Sequence, residues 1–122
     1  MTARLFPDAL TLLHNPRCSK SRAAKALLEG RGVPFRERRY LEEPLSRVEL
    51  DELSRRLGRA PHEWVRTGED AYKEAGLSAA SSPEAILDAM ARYPILLERP
   101  IVVTDTRATV GRPPERVLDV LE

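Results

Sequence analysis

Cys18 is the only cysteine of this 122-residue chain, and it stands in the stretch TLLHNPRCSKSRAAKALL. Arg17, Lys20 and Arg22 surround it, and the turn-forming pair Asn15-Pro16 lies just before it. A thiol in such company can do nucleophilic chemistry on something negatively charged. The apolar run Leu10 to Leu13 ends at Asn15-Pro16 and a helical pattern begins after it, so the spacing reads as strand, tight loop, helix. Cys18 then falls at the entrance of a helix, where unpaired backbone amides and the positive end of the helix dipole favour a thiolate over a thiol. The competing reading is a buried filler, since free cysteine is among the most buried residue types. The polar, cationic neighbourhood favours the reactive thiol.

Spacing separates the thiol chemistries. A thioredoxin-type dithiol needs Cys-x-x-Cys, and the second position here is Ser21, so a second thiol must come from outside the chain. The cysteine-phosphatase loop sets its arginine further from the nucleophile than Arg22 stands from Cys18. One cysteine with only two histidines, His14 and His62, is a poor metal-ligand set, so no metal is expected.

The elements that must position Cys18 follow from the pattern. Ala23, Ala24, Leu27 and Leu28 recur at helical spacing within Ser19 to Gly30, and Gly30 and Gly32 supply stop signals. Val33 to Leu41 reads as extended, with Pro34 marring its start. Ser46 and Glu49 have capping-box spacing ahead of Leu50, Leu53 and Leu57. A second helix is expected near Pro61, a short one around Glu69 to Ala75, and a fourth after Ser82-Pro83 with Ile86, Leu87 and Met90 on one face. Ile101 to Val103, a turn at Asp105-Thr106, and Arg107 to Val110 read as a hairpin, and Pro113-Pro114 opens a last helix. The string β-α-β, helical insert, β-β-α implies one domain over residues 1–122, a small mixed sheet flanked by helices with a helical lobe inserted at about 44–94.

Composition narrows the function. Twenty basic against nineteen acidic residues give a net charge of +1, which removes the broad basic field of a nucleic-acid-binding domain. No apolar run reaches membrane-spanning length. The opening MTARLFPDAL reads as a short non-structural leader, not a signal peptide, so a cytoplasmic protein is expected. No exposed apolar stripe stands out, which suggests a monomer.

HNPRCSKSR, with YLE-P at Tyr40 to Pro44, VRTGEDAYKE at Val65 to Glu74, ERPIVV and GRPPE downstream, resembles the glutaredoxin-coupled arsenate reductases of the thioredoxin fold. Three or more blocks in the right order, spanning Leu10 to Leu121, are far more specific than one short motif. The resemblance implies an α/β, glutaredoxin-ordered sheet. It places the nucleophile on Cys18, with His14 and Asn15 before it as catalytic residues, and assigns oxyanion binding to Arg66, Arg99 and Arg112, with Ser21 beside them. It also implies a cis bond at Arg99-Pro100, opposite the cysteine. Planar guanidinium groups suit an oxyanion such as arsenate, whose negative charge a thiolate must approach. With no bound cofactor, the resemblance implies glutathione as co-substrate and glutaredoxin as partner. Ser19-Lys20 departs from the glycine-threonine pair of the reference enzymes, which leaves a related oxyanion open as the substrate.

Two other readings fit parts of the pattern. A monothiol glutaredoxin-like enzyme would act on glutathione mixed disulfides, but three arginines exceed what a tripeptide groove needs. A thioredoxin-fold regulator of RNA polymerase would carry the Cys-x-x-Cys that Ser21 interrupts. Of the seventeen arginines, Arg38, Arg39, Arg55, Arg56 and Arg116 read as solvated surface groups.

Overall fold

The structure is a computed structural model that describes Phe6 and residues 10–121. Four strands form one mixed sheet in the order β2-β1-β3-β4: β1 (Leu10–Leu13), β2 (Arg36–Arg38), β3 (Ile101–Thr104) and β4 (Ala108–Val110). β1 runs parallel to β2 and antiparallel to β3, and β4 is antiparallel to β3. The parallel pair requires a crossover, which α1 (Ser19–Gly30) provides. The chain leaves α1 through Gly32, whose φ of +66° is the left-handed conformation that a glycine adopts freely.

Alternation along the strands divides the core in two. Leu10 and Leu12 of β1 and Val102 of β3 face one side, where they meet Ala24 and Leu28 of α1 and Val117 and Val120 near the C-terminus. Leu13, Ile101 and Val103 face the other side and pack against Leu50, Leu53, Trp64, Ile86 and Met90. That second layer holds α2 (Arg47–Leu57), α3 (Asp70–Glu74) and α4 (Pro83–Arg92), with 3₁₀ turns at Pro61–Glu63 and Pro94–Leu96. The sheet is therefore covered on both faces, a thioredoxin-like architecture. Ser46 caps α2 in a complete capping box with Glu49, and Ser82 caps α4.

Several expectations need correction. The extended segment over Val33 to Leu41 shrinks to three paired residues, because only Arg36 to Arg38 find partners along β1. The helix near Pro61 is a single 3₁₀ turn: after it, Val65 pairs with Leu97 in an isolated antiparallel bridge instead of coiling further. The last helix is 3₁₀ throughout, over Pro114–Leu121. In α1 the buried face carries Ser21, Ala24 and Leu28, while Ala23 is exposed, so the true apolar stripe is rotated from the predicted one. Most of the predicted leader lies outside the described residues. Phe6 within it belongs to the core, 2% exposed, with the Arg56 guanidinium 5.5 Å above its ring.

Arg38 and Arg56 are not solvated surface groups. Arg38 binds both carboxylate oxygens of Glu49 at 2.5 and 3.1 Å and donates to the carbonyls of Glu43 and Pro44. Arg56 donates to Glu52 and to the Thr104 carbonyl, which pins α2 to the end of β3. No helix among the described residues is long and apolar enough to cross a membrane.

Candidate functional site

The loop that carries Cys18 is built by Asn15 and Ser21. The Asn15 side-chain oxygen accepts from the Arg17 amide at 3.0 Å, an Asx turn, and its carbonyl accepts from the Cys18 amide at 3.0 Å. Ser21, enclosed on the inner face of α1 at 0% exposure, accepts from the Asn15 amide at 3.0 Å and meets His14 Nδ1 at 2.7 Å. Ser21 therefore holds the loop from beneath, through His14 and the Asn15 amide. Burial, the largest influence, holds the His14 imidazole below its ordinary pKa; Lys25, Arg39 and Arg22 push the same way against Glu37. His14 is thus neutral at neutral pH.

Cys18 is the N-cap of α1, in extended backbone (φ −95°, ψ 123°), and it is partly exposed. Its sulfur makes no capping hydrogen bond to the first turn, and that turn contains no acidic residue. Cys18 therefore sits at the positive end of α1, with no carboxylate in the first turn to oppose that field. Arg22 turns back to donate to the Pro16 carbonyl at 2.8 Å and stiffens the loop. Arg17 and Lys20 are exposed.

The segments that carry the three predicted oxyanion arginines come together at the same end of the sheet. Leu13 pairs with Ile101, and Ile101 with Val110, so the segments entering β3 and leaving β4 lie beside the end of β1 that leads to Cys18. Arg99-Pro100 is cis, as the resemblance implied, and Arg112-Pro113 is a second cis bond. The Gly111 amide donates to the Pro100 carbonyl at 2.7 Å, and Arg112 Nε donates to the Arg99 carbonyl at 2.9 Å. Arg66 arrives from a third segment: its amide donates to Leu96, and Glu98 donates back to Trp64.

Two carboxylates, which sequence reasoning missed, organise this cluster. Glu98 Oε1 lies 3.2 Å from Arg66 Nη1 and 3.2 Å from Arg112 Nε. Glu69 accepts from Arg66 Nε and Nη2 at 3.1 and 3.0 Å. The Arg66–Glu69 pair has the three-residue spacing of a local ion pair, a signal that was available; Glu98 stands beside Arg99 in the ERP motif with no spacing to mark it. Arg99 differs, since its Nε and Nη1 are buried and meet no partner among the described residues. Unpaired buried guanidinium donors are costly, and an anion would satisfy them.

Tyr40 links the two halves of the site. It is 1% exposed, and its hydroxyl meets no partner within strict hydrogen-bonding geometry among the described residues, although the Asn15 side chain lies close enough to act on it. Burial, above all, raises its pKa; Arg66 pulls it down while Cys18 and Glu98 push it up, so this phenol stays protonated among those groups. A cavity of about 280 Å³ opens beside Glu98 and Arg112, bordered by Arg59, Glu63 and Arg116. No group of three or more metal-binding side chains is assembled among the described residues.

A lone cysteine capping the helix after the first strand, on a thioredoxin-like sheet with a cis proline preceding the neighbouring strand, defines a one-cysteine member of the thioredoxin-like class. The ArsC family profile matches residues 13–120, and the chain belongs to that family. The arsenate reductase of Neisseria meningitidis serogroup A is 45% identical over 114 residues, covering 92% of this chain and 97% of the relative. A protein of Escherichia coli K12 called YfgD is 46% identical, covering 90% of this chain and 94% of its own. The structure of an arsenate reductase from Vibrio cholerae superposes with a TM-score of 0.86 at 43% identity, over 91% of this chain and 96% of that one.

Proposed function

We propose that this chain, folded as a single domain, reduces arsenate to arsenite, with Cys18 as nucleophile and glutathione and glutaredoxin as the source of electrons. The observation that carries the reading is the convergence of Arg66, Arg99 and Arg112 at the Cys18 end of the sheet, with Arg99 holding two unsatisfied buried donors. Anion-matched donors beside a thiol at a helix entrance are what attack on an oxyanion requires. The matched family and the relatives named arsenate reductase support the same chemistry.

The Cys18 thiolate attacks arsenic(V): a sulfur–arsenic bond forms, and one arsenate oxygen takes up protons and leaves as water. Arg66, Arg99 and Arg112 hold the remaining oxygens and offset the repulsion between two anions. The thiolate of glutathione then attacks the Cys18 sulfur. The sulfur–arsenic bond breaks with its electron pair left on arsenic, which departs as arsenite, while Cys18 becomes a glutathione mixed disulfide. Ser21 offers no second thiol, so glutaredoxin removes the glutathione and returns Cys18 to the thiol. His14 and Asn15 serve by shaping the loop; a neutral, enclosed His14 bonded to Ser21 is a positioning group.

The test is arsenate-dependent NADPH consumption in the presence of glutathione, glutathione reductase and glutaredoxin. Turnover should vanish in Cys18→Ser. In Arg99→Ala, the loss of a charge-assisted contact of about 1.5–3 kcal/mol corresponds to a fall in kcat/KM of roughly ten- to a hundredfold. Arsenate turnover by the Cys18→Ser protein would overturn the proposal.

A further inference from the structure

The arginine cluster is not an open trap for anions, because a carboxylate of the chain already lies in it. Glu98 Oε1 sits 3.2 Å from both Arg66 Nη1 and Arg112 Nε. Glu69 takes the remaining edge of Arg66, and Arg99 keeps buried donors with no partner among the described residues. The charges of Arg66 and Arg112 are thus opposed by two carboxylates within hydrogen-bonding distance. Glu98 is partly exposed, with 26% of its side chain accessible, and it borders the cavity of about 280 Å³ beside Arg112. It has space into which it can turn when an anion takes its place.

We infer that Glu98 is a specificity-determining residue, an internal carboxylate that competes with incoming oxyanions for Arg66 and Arg112 and keeps the site from being saturated by phosphate. This rests on the reading of the arginine cluster as the oxyanion seat. Phosphate and arsenate have the same shape and charge, so contacts to their oxygens cannot tell them apart. Only arsenic accepts the thiolate and is reduced. Binding strength spent equally on both anions lowers KM without speeding the chemistry, and it fills the site with the unreactive one. A competing carboxylate weakens both in the ground state and leaves discrimination to the sulfur–arsenic step. It also takes the arginines back when arsenite, which is uncharged at neutral pH, leaves.

The experiment measures protection of Cys18 by inorganic phosphate against a neutral alkylating reagent, iodoacetamide, in the wild type, Glu98→Gln and Glu98→Asp. The arsenate KM and kcat are measured in parallel. Glu98→Gln keeps the shape and removes the charge, so half-protection should come at about tenfold less phosphate, the equivalent of one charge-assisted contact. The arsenate KM should fall by a similar factor with kcat unchanged. Glu98→Asp, which draws the carboxylate back by one methylene, should lie between. Unchanged or weaker protection in Glu98→Gln would show that Glu98 braces the arginines, and would overturn the inference. So would a failure of phosphate to protect any of the three proteins. Stronger protection without arsenate turnover would keep the inference and defeat the proposed reaction instead.

Discussion

Replacing Ser21 by alanine removes one oxygen from the interior and disconnects the loop that carries Cys18. That oxygen accepts from the Asn15 amide at 3.0 Å and meets His14 Nδ1 at 2.7 Å, in a place with no solvent exposure. Alanine leaves both groups buried without a partner, and each orphaned polar group costs about 1–3 kcal/mol. The better helix propensity of alanine returns about 0.5 kcal/mol. The expected net loss is about 3 kcal/mol, which for a chain of this length lowers Tm by roughly 10–15 °C. Urea unfolding followed by circular dichroism gives the free energy, and the iodoacetamide rate of Cys18 at neutral pH reports the loop. That rate should change in Ser21→Ala, because the Asn15 carbonyl that fixes the Cys18 amide is no longer anchored. A variant within 0.5 kcal/mol of wild type, with the same alkylation rate, would refute the claim that Ser21 supports the loop.

Other substitutions probe the frame around the site. A Cβ on Gly111 would lie 2.6 Å from Val117 Cγ1 and 2.8 Å from Pro100 Cγ, so Gly111→Ala should cost about 1–3 kcal/mol in thermal unfolding and, by displacing Arg112, raise the arsenate KM. Arg38→Ala strips the pair from Glu49 and leaves two carbonyls without a donor; a loss of about 2 kcal/mol in urea unfolding checks it. Hydrogen bonds from Lys25, first, and Arg39 hold the Glu37 carboxyl at about 2, below its ordinary value of 4.5. This lowered value means that the ionised Glu37 stabilises the fold above pH 4.5 and that the contribution fades as pH falls from 4.5 towards 2. At pH 7 Glu37→Gln should cost about 1 kcal/mol, given that its partners are part-exposed, and the gap to wild type in unfolding midpoint should close across that acid range.

What could be seen in the sequence was local. The strand ending at Asn15-Pro16, the helix from Ser19 to Gly30, the Ser46–Glu49 box and the hairpin after Pro100 all declare themselves through periodicity or turn chemistry, and each lies where the pattern put it. What could not be seen depends on contacts distant in sequence. β2 is short because only three residues align with β1, and no propensity encodes that. Arg38 and Arg56 look like the other surface arginines until Glu49 and the Thr104 carbonyl are brought beside them. Ser21 shows only as the residue that is not a second cysteine, whereas its role comes from facing inward under His14. Glu98 becomes part of the site only when the bridge between Val65 and Leu97 sets Arg66 against it. The arginine positions themselves came from the family likeness; nothing in spacing alone distinguishes Arg66.

The most direct measurement is the intact mass of the protein after incubation with arsenate and glutathione in the absence of glutaredoxin. Attack by Cys18 on arsenate, followed by glutathione, predicts a single glutathionyl group on Cys18 that forms at a rate set by arsenate and is absent when phosphate replaces it. An adduct that forms equally without arsenate, or no adduct while Cys18 still alkylates, would contradict the account.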